Sequence, residues 1–209
     1  HGLIDPGSFV NLAEEAGLIR DISDWVLEQA CAQLARWRQG AASELRMSVN
    51  LSPKDFERSD LVDRVLRQTK EHGIPEGVLE VEITENLLLK DAESVIEKVR
   101  RLRQEGIRVS IDDFGTRYSS LNYLRRFPIS SLKIDQSFVR SLGEPDGTEA
   151  IIRAIVSIAE GFGLHLVAEG VENYGQLAAL TDMGCDEVQG YLFSRPLPAT
   201  EAEAWLRQG

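Results

Sequence analysis

An α/β fold on a parallel sheet, closed as a (β/α) barrel, is predicted for this 209-residue chain by three observations. Segments with the two-residue apolar/polar alternation of strands recur six times, separated by segments with helical periodicity. Connections are short, with no Ser/Gly/Pro-rich linker, as expected of strands joined by helical crossovers within one domain. No Gly-x-Gly-x-x-Gly turn occurs, which argues against the open doubly wound dinucleotide fold. Eight strands in about 250 residues is usual for a barrel. The first one or two strands are therefore expected to be absent, and residues 1–209 are read as a single, N-terminally incomplete domain.

Asp5-Pro6 opens a helix in the manner proline tolerates, and Gly17 interrupts it. A second helix over 18–38 repeats Ile22, Trp25, Val26, Ala30, Leu34 and Trp37 at three- and four-residue intervals, with Gly40 as its cap; both tryptophans are expected in the core. Strand 45–51 alternates Leu45, Met47, Val49 and Leu51 with Arg46, Ser48 and Asn50. A helix over 60–72 ends at Gly73, and strand 78–84 sets Leu79, Val81 and Ile83 against Glu80, Glu82 and Thr84. Helix 91–104 stops at Gly106 before strand 107–112. Strand 130–135, helix 146–161, strand 165–169, helix 176–183, strand 185–190 and a closing helix over 199–207 complete the pattern.

Acidic side chains outnumber basic ones by 34 to 23, a formal net charge of −11. Non-specific attraction to a nucleic-acid polymer or an anionic membrane surface is thereby disfavoured, and an anionic ligand needs local cations. Cys31 and Cys185 are the two cysteines and form no Cys-x-x-Cys pair, so a reducing cytoplasmic setting is expected rather than a disulfide framework or a zinc ribbon. No apolar run of about 18 residues occurs, so neither a membrane span nor a signal peptide is expected in these residues. The chain starts at His1, which is expected of a piece cut from something longer or of a processed protein.

In a barrel, one strand face packs against helices and the other points inward, with functional groups at the strands' C-terminal ends. Late-strand residues of the less apolar parity are Asn50, Glu82, Asp112, Lys133, Glu169 and Gln189, each from a different strand. Each has a structural alternative. Asn50 can satisfy a loop backbone, Lys133 can be a structural ion-pair partner, and Glu80 and Asp135 can pair with basic neighbours inside the barrel. Asp112-Asp113 is tolerable as solvated acids, with one raised pKa, or around a metal ion. Convergence favours the metal, since inward acids left uncompensated cost several kcal/mol each, on the order of 1–3 for a neutral unsatisfied group and more for a charge. Carboxylates with an amide oxygen suit hard Mg²⁺ or Mn²⁺, and two such ions form a device for phosphodiester cleavage, with a lysine to orient or deprotonate water.

Seven ordered motifs then make the chain resemble the EAL domain family of bacterial cyclic di-GMP phosphodiesterases. They are Ser48-Val-Asn-Leu-Ser52, Leu79-Glu-Val-Glu-Ile-Thr-Glu85, Asp112-Asp-Phe-Gly-Thr-Arg-Tyr-Ser-Ser-Leu121, Leu132-Lys-Ile-Asp135, Ser137-Phe-Val139, Val167-Ala-Glu-Gly-Val-Glu172 and Gln189-Gly-Tyr-Leu-Phe-Ser-Arg-Pro-Leu-Pro198. The resemblance implies a (β/α)₈ TIM-like barrel with one antiparallel strand, and hydrolysis of cyclic di-GMP to linear pGpG with two Mg²⁺ or Mn²⁺ ions. It implies Asn50, Glu82, Asp112 and Asp113 as metal ligands, with Asp112 bridging. Lys133, Glu169, Glu172 and Gln189 would then serve the water and the metal shell. Glu85 would couple the loop after Asp113 to a dimer interface, and Asp135, Arg195 and Pro196 would lie on the substrate side. A homodimer and an upstream sensor or GGDEF-type domain are further expectations.

Two departures stand out. Arg117 occupies a loop position where the family usually has glycine, and the Glu-Ala-Leu motif would lie upstream of His1. An inactive cyclic di-GMP receptor is the alternative activity, and another metal-dependent barrel hydrolase is a third. Residues 1–209 alone, with two long open sheet edges, are expected to aggregate rather than to form an active enzyme.

Overall fold

The computed structural model describes residues 4, 6–40, 44–89, 92–116, 124–145 and 147–207. After a 3-10 turn at Pro6–Ser8 come α1 (Val10–Glu15) and α2 (Ile19–Arg38). Next in order are β1 (Met47–Asn50), α3 (Pro53–Phe56), α4 (Leu61–Glu71) and β2 (Leu79–Thr84). A 3-10 turn at Glu85–Leu89 leads to α5 (Ala92–Gln104) and β3 (Arg108–Phe114). Then come β4 (Ser131–Ile134), α6 (Gln136–Arg140), α7 (Thr148–Phe162), β5 (His165–Ala168), α8 (Tyr174–Met183), β6 (Glu187–Val188) and α9 (Ala199–Leu206).

The strands form one sheet in the order β1-β2-β3-β4-β5-β6, every neighbouring pair parallel. An order that never doubles back belongs to a barrel wall, whereas a doubly wound sheet reverses at a switch point. The antiparallel strand implied by the resemblance is not among the described residues. Even the shortest connection, residues 115–130, is long enough to return the chain in the same direction.

Each predicted strand overlaps an observed one, the last shrinking from 185–190 to two residues. Helices α3 and α6 and the turn at Glu85–Leu89 escaped prediction because four or five residues are too few to show a 3.6-residue period. Arg117 lies outside the described residues.

Alternation along the strands separates two environments. Leu79, Val81, Ile83, Val109, Ile111, Leu132, Ile134, Leu166 and Ala168 are buried on the helix side, where they join one core. Opposite them, Glu80, Glu82, Ser131, Lys133, His165 and Glu187 line a polar hollow of about 280 Å³. At its lower end Arg108 Nε donates to Glu80 Oε2 at 2.9 Å and Ser131 Oγ to Glu80 Oε1 at 2.6 Å. Burial raises the Glu80 pKa, but these donors outweigh it and hold the carboxyl below its usual range. Glu80 therefore has the basic neighbour predicted for it. Arg46 and Glu187, on the two edges of the sheet, form an ion pair at 3.1 Å.

Trp25 corrects the reading of α2: it is 62% exposed. The stripe of α2 that packs inward runs through Ile19, Ser23, Leu27, Cys31 and Leu34. At 100° per residue Trp25 lies about 200° from Leu27, on the far side of the helix. Trp37 sits about 60° from Leu34 by the same measure and is half-buried.

Gly190, after β6, is a position of close backbone approach. A Cβ there would lie 2.2 Å from the Val171 carbonyl oxygen and 2.3 Å from its nitrogen. Backbone atoms cannot swing aside as a side chain can, so Gly190→Ala is expected to lower stability by about 1–3 kcal/mol or more. The urea midpoint of the variant checks this, and an unchanged midpoint would contradict it.

Candidate active site

The β3–β4 ladder is irregular where the acids fall. Ile111 pairs with Leu132 but Phe114 pairs with Ile134, so three steps on β3 oppose two on β4, a bulge. Asp113 takes φ 56° within it, and no other non-glycine among the described residues has positive φ. Aspartate tolerates this region better than most side chains, at a cost of order 1–3 kcal/mol. In a regular strand Asp112 and Asp113 would point to opposite faces. Here carboxylate oxygens of Asp112, Asp113 and Glu169 lie within 4.8 Å of one another.

The bulge is held from both sides. Glu85, buried at the start of the turn after β2, accepts the Gly115 N–H at 3.1 Å. Asp112 Oδ1 accepts the Asp113 N–H at 3.0 Å. Asp135 accepts the N–H of Ser137 at 3.0 Å and also its hydroxyl, capping α6. Although burial acts to raise it, these donors hold Asp135 below the usual carboxylate range, while hydrogen-bonded Asp113 takes the opposite shift. The basic partner expected for Asp135 is thus replaced by Ser137 and Asp113.

Lys133 projects from β4 into the middle of the acids. Its Nζ lies 2.7 Å from Glu82 Oε1, 2.5 Å from Glu169 Oε1 and 3.8 Å from Asp112 Oδ1. Burial alone would depress the lysine pKa, but Glu82, Asp112 and Glu169 outweigh it and hold the group well above its ordinary value. An ammonium at neutral pH is the result. Gln189 Nε2 donates to Glu169 Oε1 at 2.7 Å.

Four carboxylates around one ammonium leave negative charge in excess, and two acids register it. Burial pushes Glu169 up to about 7, with Lys133 opposing the rise and Asp112 and Glu82 adding to it. Burial pushes Asp113 up to about 6, with Asp112 and Asp135 adding to it. A raised carboxyl binds more protons folded than unfolded, so between about pH 4.5 and 7 the cation-free protein loses stability as pH rises, by up to ~3 kcal/mol from Glu169. Cation binding needs those protons removed, so stabilisation by Mn²⁺ should grow over the same window. Melting temperatures at pH 5, 6, 7 and 8, with and without Mn²⁺, check both slopes. A cation-free melting temperature that climbs from pH 5 to 7 would contradict the first.

Beside the acids opens a cleft of about 420 Å³, lined among others by Glu169, Glu172, Gln189, Arg195 and Pro196. Arg195 is stacked over the Tyr191 ring, 4.7 Å from its centroid. The Glu172 carboxylate is exposed and makes no ion pair among the described residues. Asn50 is register partner of Glu82 at the end of β1, exposed, with no side-chain hydrogen bond among the described residues.

Of the residues singled out from sequence, Glu82, Asp112, Asp113, Lys133, Glu169 and Gln189 thus form one connected group. Glu172, Arg195 and Pro196 lie along the adjoining cleft, Glu85 and Asp135 brace the bulge, and Asn50 stands beside Glu82 with no side-chain hydrogen bond to the group among the described residues. Gln136, Arg140 and Tyr191 also line the cleft and were not singled out. The helix carrying the first two is too short to show a period.

The donor set fits a hard divalent cation: it is all oxygen, it includes no cysteine or histidine, and its acids are under-neutralised. Fold and site together define an α/β-barrel protein with an acidic, cation-binding type of centre at the C-terminal ends of its strands. The chain belongs to the EAL domain family, whose model matches residues 1–196.

MucR of Pseudomonas aeruginosa, a bifunctional diguanylate cyclase/cyclic di-GMP phosphodiesterase, is 43% identical over 201 residues, 96% of this chain and 29% of MucR. The cyclic di-GMP phosphodiesterase PA2567 of the same organism is 40% identical over 207 residues, 99% of this chain and 35% of that protein. The chain therefore spans about a third of the length of these curated relatives. Among solved structures, the PaMucR phosphodiesterase in its c-di-GMP complex superposes with a TM-score of 0.93 at 42% identity, covering 97% of this chain and 82% of that one. The EAL domain of Mycobacterium smegmatis DcpA gives 0.84 at 40% identity, covering 88% and 83%.

Proposed function

We propose that this EAL domain hydrolyses cyclic di-GMP to linear pGpG with two divalent cations, Mg²⁺ or Mn²⁺, ending signalling by that messenger. One observation carries the reading: carboxylates from β2, β3 and the end of β5 meet the Lys133 ammonium of β4 beside a cleft of nucleotide size. The likeness to relatives named as cyclic di-GMP phosphodiesterases supports it.

In this reading Asn50, Glu82, Asp112 and Asp113 would hold the cations, and Glu169 and Glu172 would complete the shell. Bound there, divalent cations activate water and stabilise the developing phosphoryl and leaving-group charge. Because Lys133 keeps its proton at neutral pH, it orients the water and offsets phosphoryl charge rather than acting as a base. Glu169, lining the cleft and held by Gln189 and Lys133, would take the water's proton as the water oxygen adds to phosphorus and one phosphodiester P–O bond breaks. Protonation of the leaving oxygen completes the ring opening. Gln189 fixes the Glu169 carboxylate, while Asp135, Arg195 and Pro196 bound the substrate side. Glu85, holding Gly115, ties the bulge to the turn after β2, the path by which a homodimer contact would reach the site.

Residues 1–209 are read as a single EAL domain. The relatives' greater length supports an upstream sensor or GGDEF-type domain, and a cytoplasmic location fits the substrate. No helix among the described residues is long and apolar enough to cross a membrane.

A receptor that binds without cleaving is the second reading, favoured only by the absence of a side-chain hydrogen bond from Asn50 to the acid group among the described residues. Incubating the full-length parent protein with cyclic di-GMP and Mg²⁺ or Mn²⁺, and following pGpG by chromatography, separates the two. Binding without product would make it a receptor, and neither binding nor product would defeat both readings.

A further inference from the structure

The cleft has a second wall that the reaction described above does not use. Helix α6 ends at Arg140, whose Nη2 donates to Gln136 Oε1 at 2.7 Å one turn back. No carboxylate pairs with Arg140 among the described residues, and its side chain is exposed. Its placement is nevertheless well defined. Asp135 caps the start of α6, and a Cβ at Gly170 would fall only 2.6 Å from the Gln136 Cβ. Gly170 immediately follows Glu169, so α6 rests directly against the strand end that carries the reacting group. Arg140 and Glu169 line the same cleft, with Arg195 and its Tyr191 seat completing the far wall.

Cyclic di-GMP bears two phosphodiesters, and only one can sit at the acid-cation centre. The other must lie in a cleft whose walls include Glu169 and Glu172, on a chain of net charge −11. Without a cation of the protein's own, that second anion would be repelled. A guanidinium has five N–H donors in a planar fork that matches two phosphate oxygens. Gln136 occupies one of the five and sets the plane, and no other acceptor among the described residues takes the rest.

We propose that Arg140, oriented by Gln136 and lining the same cleft as Arg195, binds the phosphate of cyclic di-GMP that is not being cleaved. The inference rests on the proposed function and adds a specificity-determining residue to it: a substrate with a single phosphate gains nothing from this contact.

The test uses the full-length protein. Arg140→Ala should raise KM for cyclic di-GMP about 10- to 100-fold, the range for a hydrogen bond to a charged partner, with much less change in kcat. Arg140→Lys should recover part of the loss by charge alone, and Gln136→Ala should reproduce a smaller share of it. The rise of KM with salt should be shallower in Arg140→Ala than in wild type, because one ionic contact is gone. An unchanged KM, an equal salt slope, or an equal proportional loss on bis(p-nitrophenyl) phosphate, which has one phosphate, would overturn the proposal. Loss of binding to cyclic di-GMP but not to cyclic di-AMP would overturn it in favour of a guanine contact. Should wild type bind without cleaving, the proposed hydrolysis fails, and calorimetric Kd values for the same variants still decide Arg140. Circular dichroism melts exclude misfolding.

Discussion

Replacing Lys133 with methionine is expected to lower kcat for cyclic di-GMP by about 10²–10³-fold, the range lost with a group that stabilises developing charge. A neutral side chain of similar length removes the one ammonium that lies 2.7 and 2.5 Å from Glu82 and Glu169, leaving three acids to repel one another. Stability should fall as well, by about 3–5 kcal/mol, because breaking one side of a buried ion pair strands its partners. Divalent cation should restore much of that stability, since it compensates the same carboxylates, but not the turnover. Steady-state kinetics together with melting curves with and without Mn²⁺ measure both effects. Full turnover in Lys133→Met would remove the lysine from the reaction.

Asp112→Asn is the second large effect, and its signature has two opposite signs. The amide keeps the shape of the bulge but removes a charge shared by Asp113, Lys133 and Glu169. Cation affinity is expected to drop by at least ~100-fold, more than is typical for loss of an outer-shell partner, and turnover should drop with it. Meanwhile the cation-free protein should become more stable, because Asp112 is among the groups that push Asp113 and Glu169 upward. At 100 times its Kd a cation stabilises the folded wild type by about 2.7 kcal/mol, and at the same concentration that increment should fall to about 0.4 kcal/mol or less in the variant. Thermal melts across a Mn²⁺ titration, beside kinetics after chelation and reconstitution, read out each part. A variant that Mn²⁺ stabilises as much as it does the wild type would exclude Asp112 as a ligand.

Much of the architecture was legible in the chain because strand alternation is a local signal. Leu79, Val81 and Ile83 against Glu80 and Glu82 identify both the strand and its faces without any tertiary information. Lys133 and Glu82 could be placed on the inward side in the same way, since the two-residue period and the barrel geometry suffice. Trp25 was misread for the converse reason. A helical stripe inferred from several apolar residues has a width of more than 100°, so which members face inward depends on how the helix is rotated onto the sheet. Arg140 was missed because a five-residue helix offers no periodicity and its partner cleft is assembled from β5, β6 and the chain after them.

What the sequence by itself determined is the repeating strand–helix order, the inward parity of Glu82, Asp112, Lys133 and Glu169, and the oxygen-only chemistry of the candidate cation site. Only the tertiary structure decided that Asp112 and Asp113 act on the same side. Adjacent strand residues point to opposite faces unless the backbone inserts an extra residue. Whether it does depends on the pairing of β3 with β4 and on Glu85 holding Gly115 from another strand's end, contacts between residues far apart in the chain.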